Sequence, residues 1–145
     1  MKRRHFCVAL PMAALGFSLA ACGREPTSGP VEIKWDRETD ARCSMVISDK
    51  RFAAQIRDPN GKPWKFDDIG CAMFWLMQQP FSEETPKTEY WVADYKSGNW
   101  IEARQAYYLE GRKSPMGYQF AAVAEPEAGV IPYTEMKKRI LSRGK

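Results

Sequence analysis

Phe52-Ala53-Ala54-Gln55-Ile56, Asp58-Pro59-Asn60-Gly61, Trp64-Lys65-Phe66 and then Asp67-Asp68-Ile69-Gly70-Cys71-Ala72-Met73-Phe74-Trp75-Leu76-Met77 are consecutive phrases of one stretch, and together they decide the fold. The first reads as a strand. In the second, proline presets one φ angle and Asn-Gly supplies the left-handed positions of a tight turn, so the third returns as a hairpin partner. The fourth reads as a helix over about 67–79, capped by an aspartate and stopped by Pro80. Its residues Ile69, Ala72, Met73, Leu76 and Met77 share one face, while Cys71, Phe74 and Trp75 flank the other. A helix apolar on both sides must be covered on both, which predicts a central position.

Downstream, 82–88 is a charged, proline-containing linker, and a subdomain boundary is expected near 80–89. Residues 90–95 read as a strand, 96–99 as a turn, 100–109 as further strand, 111–117 as a loop and 118–124 as strand. Thr134 is in place to cap a last helix, with Glu135 early and Lys137, Lys138, Arg139 and Arg143 late, the order a helix dipole prefers. Its apolar stripe is Met136, Ile140 and Leu141. Phe120-Ala121-Ala122 repeats Phe52-Ala53-Ala54, and each is followed by a proline-containing turn, a short strand and a helix. Each is also preceded by a methionine, Met116 in one case and Met45 in the other. The expectation is an α+β fold with antiparallel sheets, built as two small units side by side.

Upstream of 31 the composition changes. Lys2, Arg3 and Arg4 precede an apolar run over 6–20, which is too short to span a membrane and right for a secretory signal. It ends in Leu19-Ala20-Ala21-Cys22, the pattern of a lipoprotein signal peptide over 1–21 with acylation on Cys22. Arg24 at the second position after that cysteine points to the outer membrane of a periplasm. Residues 22–30 have tether composition, which leaves 31–145 as a single domain. Cleavage would remove three of the 22 basic residues and the only histidine, His5, leaving nineteen basic side chains against 18 acidic ones. The mature chain is then near neutral, with no basic face for nucleic acid.

Sulfur is the scarce chemistry of the mature chain. With Cys22 acylated and Cys7 removed, only Cys43 and Cys71 remain as thiols. In Cys43-Ser44-Met45, leading into Val46-Ile47, an extended backbone would project residues i and i+2 to one side, so that thiol and thioether converge. Converging soft donors select Cu(I). In Cys71-Ala72-Met73 the same tripeptide lies on a helix, where i and i+2 stand about 200° apart, so these sulfurs diverge and serve mainly in packing. Arg42 would favour the thiolate of Cys43 or remain an ordinary solvated charge. The competing expectation is a Cys43–Cys71 disulfide stapling an interaction module that holds no metal.

The lipobox, Cys43-Ser44-Met45, Phe66-Asp67-Asp68-Ile69-Gly70-Cys71, Val92-Ala93-Asp94-Tyr95 with Trp100-Ile101-Glu102-Ala103, and Ser114-Pro115-Met116-Gly117 together resemble the NosL family of copper-binding lipoproteins. The resemblance implies a periplasmic chaperone that delivers Cu(I) for the copper-sulfide centre of nitrous oxide reductase, working with an ABC-type membrane assembly complex. It also implies ββαβ-like units related to the organomercurial lyase fold. Carried over by position, the metal-binding pair falls on Cys43 and Met45 and the Pro-Met-Gly methionine on Met116; Cys71 stands outside that carry-over, as a further candidate donor. The chain departs from the family in having Ser44 where many members have glycine, no second thiol close by in sequence, and no histidine in the mature part. A third donor must then come from Met116, Met73, Cys71, a backbone oxygen, solvent or the receiving protein. An enzyme is not expected: Asp67-Asp68 reads as a helix cap rather than an acid/base pair. Carbon–mercury cleavage would need paired thiols beside an acid, which the sequence does not display.

Overall fold

The hairpin forms where the turn chemistry puts it. In the computed structural model, which describes residues 26–144, β1 (Ala54–Arg57) and β2 (Pro63–Phe66) pair antiparallel with Ala54 opposite Phe66 and Ile56 opposite Trp64. Gly61 N–H donates to Asp58 O at 2.8 Å, and Gly61 takes the left-handed φ of 88° that only glycine adopts without strain. The signal peptide expected over 1–21 and the expected acylation site Cys22 lie outside the described residues. Among the described residues no helix is long and apolar enough to cross a membrane.

Helix α1 (Ile69–Leu76) follows β2, with Asp68 as N-cap accepting from Gly70 N–H at 3.1 Å. As its composition predicts, it is buried nearly all round, from Ile69 to Met73 and again at Trp75 and Leu76. Phe74 is half-buried, and Met77, expected on the apolar face, is the C-cap at 65% exposure. Strand β3 (Glu89–Ala93) then pairs with the other edge of β1, and β4 (Trp100–Glu102) completes a four-stranded antiparallel sheet in the order β2-β1-β3-β4.

The stretch 100–109, expected as continuous strand, is two strands. The Glu102 carboxylate accepts from Arg104 N–H at 2.8 Å and Gln105 N–H at 3.2 Å, and this side-chain turn ends β4. The chain re-emerges as β5 (Tyr107–Glu110) at the centre of a second antiparallel sheet, β6-β5-β7, with β6 spanning Phe120–Val123 and β7 Val130–Pro132. Helix α2 (Tyr133–Arg143) closes the chain. Its cap is Pro132, not Thr134. Proline at φ −73° leads straight from β7 into the helix, which places Thr134 inside the first turn, where its backbone is already helical.

The architecture is thus α+β, two antiparallel sheets each with a helix. In the first unit the helix lies between the second and third strands; in the second it follows the third. The repeated Phe-Ala-Ala letters therefore have different neighbours: β1 pairs directly with β2, whereas β5 separates β6 from β7. The units share one core. Ile56, Phe66, Met73 and Tyr90 pack in the same cluster as Tyr108, Phe120, Met136 and Ile140, and Tyr95 N–H donates to Ala122 O at 2.7 Å across the seam.

The lead-in at 31–35 forms no ladder. The buried amide of Gln55 replaces one, accepting from Val31 N–H at 2.9 Å and donating to Val31 O at 2.8 Å. At Gly29 the N–H donates to Glu89 Oε2 at 2.6 Å and the carbonyl accepts from the buried Arg57 guanidinium at 2.8 Å. Gly29, in the stretch expected as a tether, is therefore fastened to the first sheet.

The linker 82–88 is fixed to α2 by Glu83, which accepts from Lys137 Nζ and, at 3.4 Å, from Tyr133 OH. Burial raises this carboxyl's pKa, but the Lys137 hydrogen bond and charge outweigh it and hold it below its ordinary 4.5. A lowered carboxylate stabilises the fold fully above the unfolded value and loses that contribution as pH falls through the folded one. Glu83→Gln is therefore expected to cost about 1 kcal/mol at neutral pH. In urea unfolding that gap should close below pH 4.5, as wild-type Glu83 protonates. A gap that widened in acid would contradict the pairing.

Candidate metal centre

Cys43 sits on a tight hairpin closed by the antiparallel bridge between Thr39 and Val46. Asp40 organises it. The Asp40 N–H donates to Met45 O at 2.8 Å, and Asp40 Oδ1 accepts from the N–H groups of Arg42 at 2.7 Å and Cys43 at 3.0 Å. Ser44 N–H returns to Asp40 O at 2.9 Å. Closing so small a turn puts Ser44 in the left-handed region at φ 62°. The extended backbone expected through Cys43-Ser44-Met45 is therefore absent, and the period-two argument for converging side chains loses its premise there. Cys43 is half-buried, whereas Met45 is 56% exposed.

The partner of the Cys43 sulfur comes from 73 residues away. Cys43 Sγ lies 4.0 Å from Met116 Sδ. Met116 is held on a turn in which Gly117 N–H donates to Ser114 O at 3.1 Å, with Gly117 at φ 74°. That turn is pinned to the start of α1, because Asp68 Oδ2 accepts from Ser114 Oγ at 2.6 Å and Met116 N–H at 3.2 Å.

Cys71, in the first turn of α1, is fully buried, and it reaches the same place. Asp40, Cys43 and Cys71 each offer a ligand atom, all within 4.8 Å of one another. The helix does separate the Cys71 and Met73 side chains, and Met73 packs in the core at 3% exposure. The same helix also delivers Cys71 to Cys43. Both cysteines are free thiols. Paired thiols beside an acid, which the sequence did not display, are thus present. The Asp40 carboxylate, however, already accepts three backbone N–H groups, the third from Asp67 at 2.9 Å on Oδ2.

Burial pushes the Cys43 thiol up, and the negative charge of Asp40 adds to that, against a lowering from the Met45 backbone N–H. Burial raises Cys71 much further, again with Asp40 reinforcing it. Arg42 does not turn Cys43 into a ready thiolate. Its guanidinium donates to Tyr118 OH at 3.2 Å and lies over the Phe74 ring at 5.1 Å, walling the site. A soft ion bound here would have to expel thiol protons. The spacing suits such an ion: metal–sulfur bonds of about 2.3 Å put two donors about 4.0 Å apart at a trigonal angle.

Sequence reasoning missed Asp40 entirely. The available signal was an aspartate three residues before a cysteine, the spacing at which a carboxylate accepts the N–H groups of its own turn. A family model described as NosL matches residues 30–130. No curated protein matches the chain.

Proposed function

Because the chain belongs to the NosL family of copper-binding accessory proteins, we propose that it is a Cu(I) carrier whose resident donors are Cys43, Met116 and Cys71. Met45, exposed at the rim, is the donor through which the ion enters and leaves. The observation that carries this reading is the 4.0 Å approach of Cys43 Sγ to Met116 Sδ, with the Cys71 thiol alongside. Two thiols and a thioether form a soft, low-coordinate set that discriminates against harder ions. Cys43 and Met116 are only half-buried, so a receiving protein's donors can bind before these let go. Transfer then proceeds by ligand exchange, without a free ion.

In this reading the protein is acylated on Cys22 and held by lipid at the periplasmic face of the outer membrane, several acyl chains giving a durable anchor. Its cargo is delivered for the copper-sulfide centre of nitrous oxide reductase, with an ABC-type membrane assembly complex as the partner. Those assignments follow from the family and from the leader sequence.

The test is a competition titration of the reduced protein against a chromogenic Cu(I) chelator, paired with thiol counting on protein isolated without reductant. Uptake of a single Cu(I) is expected, with sulfur scatterers at about 2.3 Å in X-ray absorption and both thiols titratable before loading. Protein that binds no Cu(I) and yields no free thiol would instead be a disulfide-stapled interaction module.

A further inference from the structure

We infer that Asp40 and Asp68 are the positioning residues of the sulfur cluster. Each clamps one sulfur-bearing turn onto the amino end of α1, and so spaces the donors before any ion arrives. The inference rests on the cluster being a metal site, but its geometric content can be tested without metal.

Both carboxylates are buried, Asp68 at 0% and Asp40 at 2% exposure, and both are spent on backbone and hydroxyl donors. Asp68 Oδ1 caps α1 through Gly70 N–H, while its Oδ2 takes Ser114 Oγ at 2.6 Å and Met116 N–H at 3.2 Å. Asp40 Oδ1 takes the N–H groups of Arg42 and Cys43, while its Oδ2 takes Asp67 N–H at 2.9 Å. One clamp thus ends on Asp67 and the other starts from Asp68, neighbours at the head of the helix that carries Cys71. Three segments distant in sequence are located by two side chains.

Asp40 lies near enough to count as a ligand, yet its role here is different. With both oxygens already accepting, and a soft ion preferring sulfur, the carboxylate orients the thiol rather than binding the metal. An amide cannot replace either aspartate. In Asp68→Asn one end of the side chain becomes a donor that must face either Gly70 N–H or Met116 N–H.

The experiment uses Asp68→Asn, Ser114→Ala and Asp40→Asn with two readouts. Without metal, the rate of Met116 sulfoxide formation by peroxide is mapped against exposed Met77, and Cys43 alkylation by iodoacetamide is followed in parallel. Asp68→Asn and Ser114→Ala should speed Met116 oxidation several-fold and leave Cys43 little changed, whereas Asp40→Asn should do the reverse. Cys43 rates are compared at their high-pH plateau, so that loss of the Asp40 charge, which alone lowers the thiol pKa, does not count as loosening. Ser114→Ala leaves the helix cap intact and carries the test if Asp68→Asn does not fold. With metal, Asp68→Asn should weaken Cu(I) binding about tenfold and add nothing in a Met116→Leu background.

Equal loosening of both sulfurs in every variant, or a full additional loss in the Met116→Leu background, would overturn the inference and leave only general destabilisation. If the crossed pattern appears in a protein that takes up no Cu(I), the positioning role stands and the carrier reading falls.

Discussion

Cys43→Ser should lower Cu(I) affinity at least about 100-fold, equivalent to ~2.7 kcal/mol, while leaving the fold intact. Cys43 is the sulfur within reach of both others, 4.0 Å from Met116 Sδ and no more than 4.8 Å from the Cys71 thiol. Removing it disconnects the set. Serine offers a hard oxygen where a soft ion needs sulfur, and its hydroxyl does not ionise at neutral pH. Cys71→Ser and Met116→Leu each leave a two-sulfur remnant and should cost about tenfold, ~1.4 kcal/mol. Met77→Leu, on an exposed side chain remote from the cluster, should cost nothing. Chelator competition on these variants and on Met45→Leu gives the order directly. A Met45→Leu loss as large as that of Cys43→Ser, with Cys71→Ser silent, would restore the pairing expected from an extended Cys43-Ser44-Met45.

Gly70→Ala should be strongly destabilising, because a Cβ there has no room. Gly70 is an ordinary helical residue, without a left-handed φ, so propensity alone would favour alanine by about 1 kcal/mol. Space decides otherwise. A Cβ on Gly70 would fall inside the Tyr118 ring, against the atoms nearest the Tyr118 backbone rather than a flexible tip. Tyr118 is 2% exposed and packs against Phe74 with ring centroids 5.8 Å apart, so it has nowhere to swing. Overpacking of this kind costs about 3 kcal/mol or more, a large share of a typical domain's stability of roughly 5–15 kcal/mol. Because Tyr118 follows Met116 by two residues, a shifted ring also carries the thioether away from Cys43. Urea unfolding and Cu(I) competition on Gly70→Ala should therefore fail together. A variant as stable as wild type with unchanged affinity would mean the ring does not rest on the helix.

Much of the architecture could be read from local chemistry. Asp58-Pro59-Asn60-Gly61 specifies its turn in four letters, Asp68 announces a helix that Pro80 cannot extend, and the apolar circumference of α1 requires a central position. The misreadings share a cause. Thr134 has the chemistry of a cap, but Pro132 starts the helix first. Residues 100–109 have the composition of a strand, but the Glu102 carboxylate folds the backbone back on itself. At Ser44 the period-two rule fails because Asp40 bends the chain into a left-handed turn.

The sequence by itself determined where Cys43, Cys71, Met45 and Met116 stand along the chain, and that Cys71 rides on a buried helix entered from a tight hairpin. Only the tertiary structure decided which sulfurs meet. Thiol and thioether converge across 73 residues because buried carboxylates at the head of α1 bind two distant turns. Local periodicity describes how neighbours along the chain are oriented, but a metal site is a statement about distances through space, set by long-range hydrogen bonds that no window of sequence contains.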